Sequence, residues 1–462
     1  MIEGLKPYAE YKESGLPWLG RCPKNWSVRR TKILFQERVQ KGFPNEPLLA
    51  ATQTKGVVKK EDYETRTVTA QKDLHLLKLV EVGDYVISLR SFQGGIEVAH
   101  CRGIISPAYT VLKPRKTATS GYYSHFFKAK PFIDSLSLFV TGIREGQNID
   151  YERLSRAELP MPSEGEQAAI VRFLDHANRK IDGFIRAKRK LIGLLNEQKQ
   201  AIIHRAVTRG LHPDVPLKPS GIPWLGDIPQ HWEVWPLKRI GWFKSGAGFP
   251  VTEQGKTDLE VPFLKVSDMT RPGNEVWIES CNNTVSRDDA DRLGAFVFPA
   301  GSIIFPKVGG AMLTNKRRLL KRPSCIDNNV MGCVVRRGHL EFVFLLLQQL
   351  DFGRLSKPGP VPAIGEGEVR EIKVVFPPLD EQKAIVPAVE KEAAPLNTAI
   401  ARTEREIALM QEYRTRLTAD LVTGKLDVRE AAAHLPAPPT DAAVEPAPDE
   451  PLEEIETEEE TE

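Results

Sequence analysis

Two long stretches of the chain carry apolar residues at alternating steps of four and three, which is the period of helices that pack along one stripe. In the first stretch, eight of the eleven positions that this series visits between residues 170 and 205 are apolar: Ile170, Leu174, Ala177, Ile181, Phe184, Leu191, Leu195 and Ile202. Residues 166–207 are therefore predicted to form one helix, roughly 63 Å long at about 1.5 Å per residue.

The second stretch repeats this pattern towards the C-terminal end. Its stripe consists of Ile385, Val389, Leu396, Ile400, Ile407, Met410, Leu417 and Leu421. Pro387 and Pro395 lack the N–H that a helix interior needs, so a kink or a late helix start is predicted there. Two helices with one apolar stripe each are expected to pack on each other, as a rod or as a hairpin inside a core. So few apolar faces over this length favour the rod.

The stretches before each predicted helix, residues 27–160 and 233–376, have a different pattern. Short runs of β-branched and aromatic residues alternate with Gly, Pro and Asn, which is typical of strands and turns. The predicted strands include residues 85–87, 109–112, 302–305 and 330–335, and the predicted short helices are residues 126–138 and 342–352. Each stretch is interpreted as a mixed α+β domain.

The chain contains an internal duplication. Residues 14–20 read SGLPWLG and residues 220–226 read SGIPWLG. Further matches are Trp26 with Trp232, Glu166-Gln167 with Glu381-Gln382, and Val207-Thr208 with Val422-Thr423. Because there are only two copies at a long period, the pattern indicates a duplicated domain pair with an approximate two-fold axis, and not a solenoid.

The overall charge of +3 conceals an asymmetry along the chain. Residues 431–462 hold 11 Asp and Glu and no Lys or Arg, which leaves 64 basic against 50 acidic residues in 1–430, a net charge of +14. This basic body is typical of proteins that bind polyanions. The acidic end, rich in Ala and Pro and then in Glu, is expected to be disordered because it cannot bury a core.

Several classes of protein are disfavoured by the sequence. No apolar run approaches the ~20 residues of a membrane span, and the first residues lack the pattern of a signal peptide. The five cysteines form no CxxC pair and their number is odd, so neither a disulfide framework nor a zinc site is predicted. A reduced, cytoplasmic setting is expected.

No catalytic motif is recognised. Gly255-Lys256-Thr257 resembles part of a phosphate loop, but Pro250 occupies the place of the leading glycine. The sequence contains no HExxH motif, no Asn-Pro-Pro-aromatic motif of amino methylation, and no Gly-rich cofactor loop after a predicted strand. The chain is therefore expected not to be an enzyme.

Short strings recur in matched order around the predicted domains. They are IPQHW at 228–232 with CPKNW at 22–26, and LPMP at 159–162 with FPPLDEQ at 376–382. In these strings, and in the order of variable domain, helix, variable domain and helix, the chain resembles the specificity (S) subunit of type I restriction–modification enzymes over residues 11–428.

The resemblance implies a function and a set of partners. Two target-recognition domains would each read one half of a split target in double-stranded DNA, and the coiled-coil helices would separate them as a ruler. The resemblance also implies assembly with adenine-methylating (M) subunits and with translocase/nuclease (R) subunits. S-adenosylmethionine, ATP and magnesium would be cofactors of those partners, with none in this chain.

The expected fold is α+β, with two homologous mixed α/β target-recognition domains joined by two long antiparallel coiled-coil helices in a pseudo-two-fold symmetric arrangement. The expected segments are an N-terminal segment (1–26), target-recognition domain 1 (27–162), a central helical region (163–212), a second Pro-Trp segment (213–232), target-recognition domain 2 (233–378), a distal helical region (379–428) and a disordered acidic tail (429–462).

Candidate DNA contacts follow from a comparison of the two halves. Residues 83–95 (GDYVISLRSFQGG) parallel residues 301–310 (GSIIFPKVGG), and in each a predicted strand leads through a cation, Arg90 or Lys307, into a glycine-containing loop. Arg90 suits the O6 and N7 atoms of guanine, and Gln93 suits the N6 and N7 atoms of adenine. Gly94 would allow the backbone to approach a phosphate. The alternative is an ordinary hairpin turn with solvated cations.

Further candidates come from two polar stretches. Clustered cations release counterions together when they bind phosphates, which favours the run in domain 2, although a solvated basic loop is the alternative. The candidates are Arg144 and Gln147 in domain 1, and Asn315, Lys316, Arg317 and Arg318 in domain 2. The first long helix carries ten Lys and Arg against four acids, and its basic side is expected to face DNA, an acidic methyltransferase surface or solvent.

Three functions stay open at this point. The first is a sequence-reading subunit of a multisubunit enzyme. The second is a nuclease or methyltransferase with fused recognition domains, which would need a catalytic domain that neither length nor motifs supply. The third is an isolated DNA-binding regulator, which only neighbouring genes or an experiment would distinguish from the first.

Overall fold

A computed structural model describes residues 5–62, 73–115, 117–141, 148–356 and 361–436. The chain divides into two compact units. Unit 1 consists of Met1–Arg189 with Glu404–Glu462, and unit 2 consists of Lys190–Thr403. Both units mix helices and strands, which confirms the predicted α+β class. Within the described residues, no helix is long and apolar enough to cross a membrane.

Among the described residues, unit 1 contains strands β1 to β14 and the short helices that precede α6. Its strands are β1 (Tyr11–Glu13), β2 (Arg21–Pro23), β3 (Ser27–Arg30), β4 (Phe35–Glu37), β5 (Leu49–Thr52), β6 (Gly56–Lys59), β7 (Lys78–Val80), β8 (Tyr85–Ile87), β9 (Glu97–Val98), β10 (Gly103–Ile105), β11 (Thr110–Pro114), β12 (Val140–Thr141), β13 (Asn148–Ile149) and β14 (Glu158–Met161). Its α-helices are α1 (Thr31–Leu34), α2 (Ser91–Gly94), α3 (Thr117–Phe126), α4 (Lys130–Leu136), α5 (Tyr151–Arg156) and the first part of α6 (Glu164–Arg209).

Unit 2 contains the remaining strands. They are β15 (Leu217–Pro219), β16 (Asp227–Pro229), β17 (Glu233–Pro236), β18 (Gly241–Ser245), β19 (Val261–Leu264), β20 (Trp277–Ile278), β21 (Thr284–Val285), β22 (Ile303–Pro306), β23 (Arg318–Leu320), β24 (Cys325–Ile326), β25 (Val330–Val335) and β26 (Lys373–Phe376). The later α-helices are α7 (Leu237–Ile240), α8 (Arg287–Arg292), α9 (Gly309–Leu313), α10 (Leu340–Gln348), α11 (Phe352–Leu355), α12 (Glu366–Glu371), α13 (Leu379–Val422) and α14 (Arg429–Ala433). The end of α13 and all of α14 belong to unit 1.

The two units repeat one topology. The antiparallel order β4-β11-β8-β9 in unit 1 matches β18-β25-β22-β23 in unit 2, where β20 adds a parallel strand at the edge. The first and last strands of each variable stretch also pair, β3 with β14 and β17 with β26. Each stretch is thus closed at its base by a two-stranded sheet, and the duplication seen in the sequence extends to strand order.

Aromatic side chains fill the core of unit 1 beside its main sheet. Phe35 and Tyr85 from the strands pack edge-on, with ring centroids 5.6 Å apart, and both contact Phe127 after α3. Tyr123 of α3 is fully buried, and its hydroxyl donates to the carbonyl oxygen of Pro160 at 2.7 Å. This bond joins α3 to the strand that leads into α6.

The long helices pack antiparallel within each unit. In unit 1, the buried residues Ile170 and Leu174 of α6 belong to the same core as Leu417 and Leu421 of α13. Along this pair the ion-pair partners run in opposite directions, because Asp182 meets Arg414 and Lys188 meets Glu406.

In unit 2 the same two helices meet at their other ends. Ile203 and Val207 of α6 share a core with Ile385 and Val389 of α13. Arg205 donates to Glu392 at 2.8 Å, and Lys199 donates to Asn397 at 2.8 Å. The antiparallel pairing predicted from the stripes is confirmed within each unit.

Besides the helix predicted over residues 342–352, which the structure divides into α10 and α11, three predictions differ from the structure. Residues 126–138 do not form one helix, because α3 ends at Phe126 and α4 begins at Lys130, with extended backbone at Ala129. Helix α13 does not start late: it runs from Leu379 through both prolines, which are exposed on the face opposite its buried residues.

The third difference concerns the tail. Residues 429–462 were predicted to be disordered, but α14 packs Ala431 and Ala432 into the core of unit 1. Small apolar side chains suffice there because the helix lies directly on the core. Residues 437–462, the rest of the predicted tail, lie outside the described residues.

Candidate nucleic-acid interface

A glutamate fastens each duplicated Pro-Trp segment to the start of a long helix. In unit 1, Glu166 near the start of α6 accepts hydrogen bonds from Trp26 Nε1 at 2.8 Å, Tyr8 Oη at 2.5 Å and Asn25 Nδ2 at 3.0 Å. The ring of Trp26 also lies against Gly424, just beyond α13, where a Cβ would come within 3.1 Å of the ring. Trp26 therefore joins the start of α6 to the end of α13.

Unit 2 has the same joint with the roles of the helices exchanged. Trp232 Nε1 donates to Glu381 of α13 at 2.9 Å, and His231 Nε2 lies 2.6 Å from the same carboxylate. A Cβ on Gly210, which follows α6 with a φ of +77°, would lie 3.1 Å from Trp232. The Glu-Gln and Val-Thr repeats of the sequence thus mark one joint built twice, and it fixes each domain to the helix pair.

In unit 1, the main sheet presents the candidate contacts on a short helix that follows β8. Arg90 precedes α2 and Gln93 lies within it, and both side chains are exposed. Gly94 lies beside Gln53, because a Cβ there would come within 2.8 Å of that side chain, and it stays a candidate for a close approach to phosphate. Its small size serves packing inside the unit, while Arg90 and Gln93 stay accessible to a ligand.

An ion pair between Lys128 and the buried Glu97 braces this turn, and no sequence pattern predicted it. Lys128 Nζ donates to the carbonyl oxygens of Gln53 at 3.0 Å and Gly94 at 2.9 Å, and it pairs with Glu97. The side chain of Glu97 is 3% exposed, and burial raises its pKa to about 7 although Lys128 acts to lower it. Glu97 and Lys128 lie in no recognisable motif and are 31 residues apart in the sequence. Their contact therefore becomes visible only in the folded chain.

Unit 2 repeats the arrangement of strand and short helix. Strand β22 is followed by Lys307 and then by α9, as β8 is followed by Arg90 and α2. Lys307 is half-buried, and its Nζ donates to Ser245 Oγ at 2.9 Å at the end of β18. Gly310 is exposed, and a Cβ on Gly309 or Gly310 would meet nothing within 4 Å. The backbone of this turn is therefore open to an approaching group.

The polar run after α9 divides into accessible and buried residues. Asn315, which adopts a left-handed φ of +51°, and Lys316 are half-buried at the turn. Arg318 in β23 is half-buried and donates to Met269 O at 3.1 Å. Arg317 is 1% exposed.

Arg317 is held entirely by the interior of unit 2. Its guanidinium lies 4.2 Å from the ring centroid of Phe352 and 5.3 Å from that of Phe305, and it donates to Leu350 O at 2.9 Å. Burial lowers its pKa to about 9. A phosphate cannot reach this position without opening the core, so Arg317 serves packing in unit 2.

Two candidates, Arg144 and Gln147, lie outside the described residues. In the parts of the chain that the structure describes, no cluster of His, Cys, Asp and Glu is arranged to hold a metal ion. The candidate interface consists of two polar turns, one in each unit, which follow the corresponding strands β8 and β22.

Known proteins that the chain resembles belong to type I restriction–modification systems. No protein-family model matches the chain. It is 23% identical over 442 residues to the MjaX specificity subunit of a type I restriction enzyme from Methanocaldococcus jannaschii, covering 89% of this chain and 96% of that protein. It is 25% identical over 342 residues to the MjaVIII specificity subunit from the same organism, covering 71% and 75%. A chain of a solved type I restriction–modification system shares the fold, with a TM-score of 0.57 at 14% identity over 87% of this chain and 98% of that one.

Proposed function

Because the chain belongs to the family of type I restriction enzyme specificity subunits, we propose that it is the DNA-reading subunit of such an enzyme. It recognises a bipartite target and directs adenine methylation and restriction by partner subunits. It contributes no catalytic group of its own.

The observation that carries this proposal is the repeated turn on corresponding strands of the two units. A target in two halves needs two readers, and each unit offers exposed or half-exposed polar groups after the equivalent strand, β8 or β22. In unit 1, Arg90 and Gln93 are proposed to read base edges, since Arg suits guanine and Gln suits adenine. Arg144 and Gln147 stay candidates of domain 1 from the sequence.

In unit 2, the proposed contacts are mainly to phosphates. Lys307, Lys316 and Arg318 supply cations near the open backbone of Gly309 and Gly310, and Asn315 supplies an amide. Phosphate contacts fix the position of a protein on the duplex, whereas base contacts provide sequence choice. The two units are thus proposed to use different mixtures of both.

The partners are proposed to be methyltransferase (M) subunits that use S-adenosylmethionine and translocase/nuclease (R) subunits that use ATP and magnesium. The assembly would act on DNA in the cytoplasm of a bacterium or archaeon. The helix pair is proposed to be the surface to which the methyltransferase subunits attach and the spacer between the half-sites.

The deciding experiment maps methylated adenines across a genome in cells that carry the M subunits with and without this chain. Methylation at one bipartite motif is expected only when the chain is present, and the purified chain alone is expected to transfer no methyl groups. Methyl transfer by the chain alone would favour the fused enzyme. Unchanged methylation together with specific DNA binding would favour an isolated regulator.

A further inference from the structure

A row of exposed arginines runs along α6 in unit 1. Arg172, Arg179 and Arg186 are seven residues apart, so they lie within about 40° of one line on a helix of 3.6 residues per turn. All three are exposed, and no carboxylate of the described residues forms an ion pair with them. These three residues are called the basic stripe.

The stripe carries positive charge that its surroundings do not neutralise. The acids nearest in sequence are engaged elsewhere, because Asp175 pairs with His125 and Asp182 with Arg414. His176 lies on the same side of α6, and its pKa is lowered by partial burial and by the charges of Lys180, Arg179 and Arg172. A site of this kind favours an anionic partner.

The last described residues of the chain lie at one end of the stripe. After α14, the carbonyl oxygens of Leu435 and Pro436 accept hydrogen bonds from Arg172 Nη2, at 2.6 and 3.3 Å. Residues 437–462 therefore begin beside the first arginine of the stripe. They hold 11 Asp and Glu and no Lys or Arg, with nine of those acids in residues 449–462.

The lengths match. The distance from Arg172 to Arg186 is about 21 Å, at ~1.5 Å per residue. The thirteen residues from Ala437 to Asp449 can reach at most about 45 Å, at ~3.3–3.6 Å per residue, which exceeds the length of the stripe. The acid-rich end can thus lie along the stripe, and the tether keeps its local concentration at roughly the millimolar level.

We propose that residues 437–462, the acidic tail, dock on the basic stripe of α6 and withhold it from other polyanions. The contact consists of several exposed ion pairs, each of which contributes about 0.2–1 kcal/mol at low salt, so the tail is bound in a way that a stronger polyanion can displace. The proposal does not depend on the DNA-reading function, because both partners belong to one chain.

The test compares the full-length chain with a full-length variant whose tail has lost seven charges. The variant carries E453Q, E454Q, E456Q, E458Q, E459Q, E460Q and E462Q, and its residues 1–436 are unchanged. Both proteins react with phenylglyoxal, which modifies accessible guanidinium groups, and mass spectrometry gives the rate at each arginine. Arg405, exposed on α13 in the same unit, is the internal control.

At about 20 mM salt, Arg179 and Arg186 are expected to react about threefold more slowly in the unaltered chain than in the variant. The difference should vanish at about 500 mM salt, where the Debye length is only a few ångströms, and Arg405 should react equally in both proteins.

Two results would overturn the proposal. The first is an equal rate at Arg179 and Arg186 in both proteins at low salt, with protection arising only when a DNA duplex is added. That result would make the stripe a DNA surface that the tail leaves open. The second is protection of Arg405 as large as that of the stripe, which would show diffuse attraction and no docking site. The comparison of the two proteins without a duplex contains no target, so its result does not test whether the chain reads DNA.

Discussion

Arg90 and Arg317 show how burial decides what a guanidinium can do. Arg90 precedes a four-residue helix and is exposed, so its donors are available to a base. Arg317 lies against Phe352 and Phe305 and holds the carbonyl oxygen of Leu350. A run of cations in the sequence does not distinguish a DNA contact from a core residue. The run shows where positive charge lies along the chain, but not which side chains point into the core.

Replacing Arg90 and Gln93 by alanine is expected to weaken binding to the target duplex while the fold stays intact. Each lost bidentate contact corresponds to about 1–3 kcal/mol of discrimination between bases. Fluorescence anisotropy on target and altered duplexes measures the loss, and the melting temperature checks the fold. Arg29→Ala removes an equal charge from an exposed position on β3 and should leave discrimination unchanged. Equal weakening by R29A would mean that only net charge matters.

Glu97 makes the brace of the same turn sensitive to pH. Its pKa is raised from 4.5 to about 7 in the folded chain, so the native state holds this proton more tightly than the unfolded state. Its contribution to stability is therefore fully present below pH 4.5 and is lost as the pH rises to 7. The loss corresponds to about 3 kcal/mol.

Glu97→Gln, which keeps the side chain neutral, should remove this pH dependence. The variant is expected to gain stability relative to the unaltered chain as the pH rises from about 5 to 8, by up to about 3 kcal/mol. Thermal unfolding followed across this pH range tests the difference, with Glu158→Gln at an exposed position of β14 as control. A difference that stays constant with pH would show that Glu97 does not titrate in this range.

At the scale of elements, the sequence pattern predicted the long helices correctly. It did not predict every residue that lies on their buried face. The heptad series from Ile170 fits the buried residues as far as Ile181, but Leu191 is exposed and Ile203, not Ile202, is buried near the end of α6. A straight α-helix drifts about 20° per heptad against a 3.5-residue period, which amounts to about one residue over this distance. The series therefore falls one position behind the real contact face.

Helix α13 illustrates why proline is only a partial signal. Pro387 and Pro395 each remove one hydrogen bond, but they are exposed, so water can reach the freed carbonyl groups. The buried side chains of Ile385, Val386 and Val389 hold this part of the helix on the core of unit 2. Tertiary packing outweighs local preference here.

The joints Trp26–Glu166 and Trp232–Glu381 differ in how deeply the glutamate is buried. Replacing the two glutamates should therefore cost different amounts of stability. Glu166→Ala leaves the buried donors of Trp26 and Tyr8 without an acceptor and removes the bond to the exposed Asn25, and a loss of about 2–4 kcal/mol from unit 1 is expected. Glu381 is 37% exposed, so water can replace it and Glu381→Ala should cost about 1–2 kcal/mol in unit 2. Hydrogen exchange read by mass spectrometry assigns each loss to its unit.

Glu197→Ala, at an exposed position of α6, is the control for these two variants. Equal losses at Glu166 and Glu381 would mean that the joints depend on helix contacts and not on burial of the carboxylate.

At the scale of the whole molecule, the duplication was the strongest sequence signal, because the same joint had to be encoded twice. The Pro-Trp segments, the Glu-Gln pairs and the glycines after the long helices all serve that joint. The turns of the variable stretches left a weaker mark, which is the parallel between residues 83–95 and 301–310. Their geometry depends on contacts between distant segments, such as Lys128 with Gln53 and Glu97, which no periodicity predicts.

The proposed role of the long helices as a spacer can be tested by lengthening both of them. Each helix contributes residues to both units, and in unit 2 Lys199 meets Asn397, so the antiparallel register brings the region of Leu194 opposite Ala401. Four residues inserted after Leu194 and four after Ala401 lengthen both helices by about 6 Å, close to one turn. At about 3.4 Å per base pair, the spacer of the target should grow by about two base pairs.

Methylation mapping in cells with the M subunits would read the new spacing directly. The same two half-sites are expected, because Arg90, Gln93 and the turn after β22 are unchanged. A four-residue insertion after Ala447, in the acidic tail, should leave the spacing as it was. If the double insertion changes the half-site bases but not their separation, the helices do not set the spacing. Because the insertions alter only the helix pair, a change in the bases would mean that the reading residues lie near the helices and not in the turns after β8 and β22.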